Sequence, residues 1–298
     1  MEGQSNSSKR IGGRLIALLF AALLLSAPSA LHAQNLGWEG ETGVFVTPTA
    51  YTIATPKNRF ALPVASYHYL NGGDVLGTFS QLSVTSGFAN RIEFGYTRDF
   101  HAQGNNATLS PLWNEGFNTF HAKGILIKEN SWHQAWMPSV ATGFMVRSQV
   151  QNVGGALTHK STTNGDVYLA LTKTITQLKP MPILLTGGVR GTNSELWGLG
   201  GNAPNWGAYA FGNAAFIFQG PVHSTIILGV EVAGQPHHPD QLPTGNIRTT
   251  MVYALRVLPS PTMKLNVDFG ILQGPGEISP GVDLKAKDRP AFAITYAF

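Results

Sequence analysis

The sequence predicts an all-β chain: a single antiparallel transmembrane β-barrel of about 12 strands, with a short N-terminal periplasmic or plug segment. Three observations lead there. Apolar residues recur with period two along most of the chain. The connections between those stretches alternate between short and long, as turns and outer loops do in a membrane barrel. Charged residues make up only 12% of the 298 positions while hydrophobic ones reach 43%; soluble domains carry roughly 25% charge, and disorder needs more charge and less hydrophobicity.

Residues 1–33 read as a secretory signal. Lys9, Arg10 and Arg14 form a basic start, Leu15 to Leu25 is an apolar run, and Ser26 to Ala33 is a small-residue tail. The run is too short for a bilayer-spanning helix, which needs about 20 residues. Removing these residues takes away Lys9, Arg10, Arg14 and Glu2, leaving 17 basic and 15 acidic side chains. No basic cluster with interleaved aromatics is left to suggest nucleic-acid binding. The chain has no cysteine, which excludes disulfide scaffolds, thiolate metal sites and cysteine nucleophiles.

Residues 34–58 form the N-terminal segment. Gly43 to Tyr51 is a short extended piece in which Pro48 forbids a central-strand role. It could cap or plug the periplasmic mouth, pair at the barrel seam, or serve as a linker. The barrel occupies 59–298. Segments 59–70 and 75–86 are strand-like. In 91–97, Ile92, Phe94 and Tyr96 alternate with Arg91, Glu93 and Gly95. Segment 117–128 is strand-like. In 140–147 the large residues Phe144 and Val146 face away from Gly143 and Arg147. Segments 165–176 and 208–219 flank 183–190, where Arg190 falls on the small-residue face. In 226–233 Glu231 lies on that face, in 250–257 Arg256, and in 264–271 Lys264, Asn266 and Asp268. The last strand sets Phe292, Ile294, Tyr296 and Phe298 against Ala293, Thr295 and Ala297. Connections 87–90, 177–181, 220–223 and 259–262 are short. Those at 101–116, 149–164, 194–207, 235–246 and 274–288 are long, 129–137 is intermediate, and 71–74 is short where a long one was due.

The small-residue face is rich in Gly, Ala, Ser, Thr and Asn, which suits a lumen rather than a solvated surface. A charge on the lipid face costs about 2–4 kcal/mol at midplane. Arg91, Glu93, Arg147, Arg190, Glu231, Arg256, Lys264 and Asp268 are therefore expected to line the lumen, a small positive surplus favouring anions if the bore is open. On the same reasoning Val267→Arg should block assembly and Asn266→Arg should be tolerated.

The final strand, with Phe292, Ile294, Tyr296 and the terminal Phe298, resembles the C-terminal signature of Gram-negative outer-membrane barrels. That resemblance implies recognition by the barrel-assembly machinery and residence in the cell outer membrane. Gly43 to Ala50 (GVFVTPTA) resembles the start of YjbH-like outer-membrane proteins, which are associated with exopolysaccharide secretion; the match covers eight residues.

Chemistry candidates are sparse. His237, His238 and Asp240 could ligate a metal, but a polar loop is the simpler reading. Asp99 and His101 sit at the expected outer rim, yet no hydrolase signature accompanies them. Gly200 to Gly207 could stack a sugar on Trp206, or simply turn. Trp113, Trp132, Trp136, Trp197 and Trp206 are expected in an interfacial girdle. No metal, cofactor or catalytic set is called for. The leading reading is a narrow channel or accessory barrel for small polar solutes or polysaccharide. The rivals are an occluded interaction barrel and a hydrolase with rim His and Asp residues.

Overall fold

The computed structural model describes residues 35–56, 58–105, 115–149, 163–178, 180–195, 197, 201–236, 249–260, 263–273, 277–279, 282–283 and 288–298. Twelve strands close into one antiparallel barrel: β1 Val64–Asn71, β2 Thr78–Phe88, β3 Ile92–Ala102, β4 Phe117–Ile127, β5 Ser139–Gln149, β6 Asn164–Ile175, β7 Ile183–Glu195, β8 Gly201–Gln219, β9 Thr225–Ala233, β10 Thr250–Leu258, β11 Leu265–Leu272 and, after a small hairpin, β14 Arg289–Ala297. The hairpin, β12 (Glu277–Ser279) and β13 (Val282–Asp283), lies within the expected 274–288 connection. Each strand pairs with its sequence neighbour, and β1 meets β14 to close the wall, with Val64 opposite Ala297. Closure leaves no unpaired edge, the condition for a sheet in lipid.

The two faces differ as the alternation requires. On β2, Leu82 and Val84 are exposed while Gln81, Ser83 and Thr85 are buried. The pattern repeats with Phe94 and Tyr96 on β3, Phe144 and Val146 on β5, Val167, Leu169 and Leu171 on β6, Phe269 and Ile271 on β11, and Ile294 and Tyr296 on β14, all exposed. Such a continuous apolar belt far exceeds what a soluble monomer shows to water. With polar residues turned inward, it defines a barrel whose outside solvent is lipid. No helix of the described residues is long and apolar enough to cross a membrane; the strands do the crossing.

One expectation changes, and among the readings open for residues 34–58 the contacts fit the plug. The 194–207 segment is largely strand: the β7–β8 ladder continues past a bulge to Ser194 opposite Asn202 and Glu195 opposite Gly201. The hairpin therefore rises beyond the length needed to cross the hydrocarbon. The N-terminal segment lies inside the barrel: residues 35–55 hydrogen-bond to inward side chains from β2, β3, β4, β5, β6, β8, β9, β10 and β11.

Candidate functional site: the plugged bore

The segment enters as two tight turns. In the first, Leu36 pairs with Thr42 across an isolated bridge, and Gly37 N–H donates to Glu41 O at 2.7 Å. Gly40 sits at φ +89°, and a Cβ there would lie 2.5 Å from Thr97 Oγ1; only glycine tolerates that conformation so close to the wall. In the second turn Gly43 pairs with Pro48, and Val44 N–H donates to Thr47 O at 3.1 Å. Proline costs no ladder bond in so short a bridge. Trp38, Phe45 and Ile53 supply the apolar fill, each at most 1% exposed. Trp38 and Phe45 both meet the His68 ring edge-on, at 5.9 and 6.0 Å.

Charged and polar residue types of the wall hold the turns. Glu231 on β9 receives the N–H groups of Phe45 (2.7 Å), Val46 (3.0 Å) and Thr47 (2.6 Å), and the Thr47 hydroxyl at 2.5 Å. Asn213 on β8 donates to the same hydroxyl at 2.8 Å. Arg256 is forked onto Asp268, 2.7 and 2.6 Å, and donates to Val44 O at 2.6 Å. Lys123 pairs with Glu93 at 2.8 Å and donates to Thr42 O and Thr49 O at 2.8 and 3.1 Å. Glu93 in turn accepts Thr42 N–H at 2.9 Å and Ile53 N–H at 3.1 Å. Hydroxyls on the wall complete the seating: Thr85 donates to Gly40 O, Thr97 to Glu39 O and Ser139 to Ala50 O.

Near the long-loop end Arg147 on β5 binds two carboxylates. Its Nη2 meets Glu39 Oε2 at 2.5 Å and Asp166 Oδ2 at 2.6 Å, and its Nε meets Glu39 Oε1. Arg190 on β7 lies 3.8 Å from the same Asp166 oxygen, donates to Gly234 O and Gln235 Oε1 at 3.0 Å, and sits 5.5 Å from the Trp197 ring. Its Nε and Nη1 have no hydrogen-bond partner among the described residues. Glu41 is different: it is fully buried, and neither carboxylate oxygen has a hydrogen-bond partner among the described residues. Burial first, and then the nearby Glu39, push its carboxyl up to about 8.

The expected lumen residues divide. Glu93, Arg147, Arg190, Glu231, Arg256 and Asp268 are buried inside. Arg91 is exposed in the turn before β3, where Nη1 reaches Ile125 O at 3.4 Å, and Lys264 is exposed just before β11. Both have the inward parity of their strands but lie beyond the strand ends, where parity no longer fixes direction. Buried Glu39, Glu41, Asp99 and Asp166 join instead. Carboxylates therefore outnumber cations inside, reversing the expected positive surplus among the described residues. Asp166 was legible: Val167, Leu169 and Leu171 face lipid, so Asp166 had to face Arg147. Asn266 is buried with its amide against Asn35, so an arginine there would collide with the plug.

Trp197 is buried over Arg190 rather than placed in a girdle. Trp132, Trp136 and Trp206 are exposed. Asp99 and His101 both point inward; Gln81 donates to Asp99 at 2.8 Å and His101 packs on Phe79, centroids 4.6 Å apart. Phe292 is half-buried on the outer face of β14, with Ile294, Tyr296 and Phe298 exposed. Trp113, His237, His238 and Asp240 lie outside the described residues, as do residues 1–33.

A closed twelve-strand antiparallel wall, an apolar belt and a polar interior define an outer-membrane β-barrel. The chain belongs to the family described as "Protein of unknown function (DUF3034)", whose model matches residues 39–252. No curated protein matches it. Among solved structures it is similar in fold to a KdgM porin (TM-score 0.45, 10% identity, 79% of this chain and 99% of that one). It is also similar to the NanC porin (0.47, 11%, 79% and 98%) and to the COG4313 outer membrane channel from Pseudomonas putida F1 (0.42, 10%, 82% and 97%).

Proposed function

We propose that the protein is a gated outer-membrane channel for small polar solutes, closed by its own residues 35–56. The observation that carries this reading is the nature of the plug's seat. A barrel sealed for good needs only an apolar fill, and replacing buried ion pairs by apolar residues is often neutral or stabilising. Here the wall instead keeps Glu93, Lys123, Arg147, Asp166, Arg190, Glu231, Arg256 and Asp268 beneath the segment. Once the segment withdraws, those groups line a polar passage that water can fill.

A disulfide tests the gate, since the chain has no native cysteine. Thr47→Cys with Asn213→Cys joins two side chains now 2.8 Å apart. The refolded, oxidised protein should be silent in planar bilayers, and reduction should restore intermittent unitary steps. Silence in both states, with Glu231→Ala silent too, would leave a permanently occluded interaction barrel. Outward Phe292, Ile294, Tyr296 and Phe298 are placed for reading by the assembly machinery on this proposal; Phe298→Ala should lower the amount of folded barrel in the membrane. Polysaccharide as a larger cargo rests on the GVFVTPTA resemblance alone.

A further inference from the structure

We infer that Arg147 and Arg190 form a carboxylate-binding site in the upper bore, and that Glu39 occupies it as a built-in competitor. The inference rests on the gated-channel reading and names the class of solute: a small anion carrying a carboxylate on a polar body.

Charge balance carries the argument. Lys123 has Glu93, and Arg256 has Asp268 in forked contact. Arg147 and Arg190 share one wall carboxylate, Asp166. Glu39, the second carboxylate, comes from the plug and approaches Arg147 through both its oxygens, the planar fork-on-fork geometry by which guanidinium recognises any carboxylate. Withdrawal of the segment therefore leaves two guanidiniums against one wall carboxylate, and an incoming anion takes the forked position that Glu39 vacates.

A second, independent observation marks the same place. Arg190 is 4% exposed, and its Nε and Nη1 donors lack hydrogen-bond partners among the described residues. Arg190 borders a small void together with Thr47, Asp166, Tyr168, Trp197 and Phe211. Buried guanidinium donors without acceptors are costly. The aromatic rings beside them offer flat apolar surface for the body of a ligand whose acid group reaches the arginines.

The test uses full-length, refolded protein and calorimetry in detergent. Glu39→Ala vacates the carboxylate position while leaving Arg147 in place. It should bind glucuronate and propionate at least tenfold more tightly than the unsubstituted protein, and should show no binding of neutral glucose. Adding Arg190→Gln to Glu39→Ala should cut glucuronate affinity at least tenfold. Should that double variant not refold, Arg190→Lys, which keeps the charge but loses the fork, should give a smaller cut. Equal anion affinity with and without Glu39, or glucose binding as well as glucuronate, would overturn the site. Failure of the gate is read separately: silent bilayers after reduction of the Thr47–Asn213 cysteine pair would sink the channel while leaving binding by Glu39→Ala intact.

Discussion

Replacing Glu231 with alanine should release the tip of the plug while leaving the barrel standing. The carboxylate accepts three consecutive backbone N–H groups, those of Phe45, Val46 and Thr47, at 2.6–3.0 Å. Each buried donor left without an acceptor costs about 1–3 kcal/mol, so the docked state of the variant loses roughly 3–9 kcal/mol. Against this stands the cost of keeping a carboxylate dry in the docked protein, several kcal/mol that the undocked protein recovers as water reaches Glu231. The net loss of docking is about 3 kcal/mol, roughly a hundredfold in the docked-to-undocked ratio. Amide hydrogen exchange reads this directly. Protection at Phe45, Val46 and Thr47 should fall by roughly a hundredfold, in keeping with local opening. The ladder amides between β11 and β14, which lie beyond the strands flanking Glu231, should hold theirs. Glu231→Gln should fall between the two, since its amide oxygen still accepts but its NH2 is set against another donor. A change below threefold at the three tip amides would refute the carboxylate as the latch.

Other perturbations separate the remaining contributions. Glu41 titrates near 8 when docked and near its usual value of 4.5 when the segment is free. The docked state thus holds the proton more tightly: docking is strongest below pH 4.5, weakens as pH rises through 8, and levels above it, a span of roughly 5 kcal/mol. The apparent melting temperature should be lower at pH 8.5 than at pH 5, and Glu41→Gln should remove much of that difference. Gly40→Ala forces a side chain into φ +89° and onto Thr97; it should weaken docking by about 1–3 kcal/mol, seen as faster exchange at the first turn. Val267→Arg puts a charge on the lipid face at a cost of about 2–4 kcal/mol and should deplete the heat-modifiable band from membranes. Asn266→Arg should assemble but open the Asn35 end of the plug to protease.

Period two and loop rhythm carried the wall because each residue's environment there depends only on its parity. Phe144 and Arg147 could be assigned to opposite faces without knowing any partner. The rule fails where parity stops meaning direction: at Arg91, Lys264 and Trp197, past the strand ends. It has nothing to say about residues 35–55. Glu39 and Glu41 sit in no periodic stretch, and what gives Glu39 its meaning is Arg147, more than 100 positions away. Gly43 to Ala50 is visible as a distinct string but its seat is not, because three of its backbone N–H groups are held by Glu231, more than 180 positions away. The direction of Lys123 is another that its own strand does not fix. Its strand alternates poorly by sequence, and its inward direction follows from Glu93 opposite it in the β3–β4 register.

The tether sets how the plug can open. Residue 55 is fixed by Asn90, which accepts Thr55 N–H at 2.5 Å, and β1 begins at Val64. The eight residues between them span at most roughly 27 Å. Pro63 O receives Phe298 N–H at 3.2 Å, beside the short-turn end of the barrel. Moving as a unit, the segment therefore leaves toward that end, with its C-terminal end held close to the barrel. A tethered ligand on so short a leash acts at an effective concentration of order millimolar. Brief spontaneous opening followed by rapid redocking is the expected resting behaviour. A solute competing with Glu39 for Arg147 must match that local concentration or bind more tightly, and each bound carboxylate lengthens the open interval instead of expelling the segment.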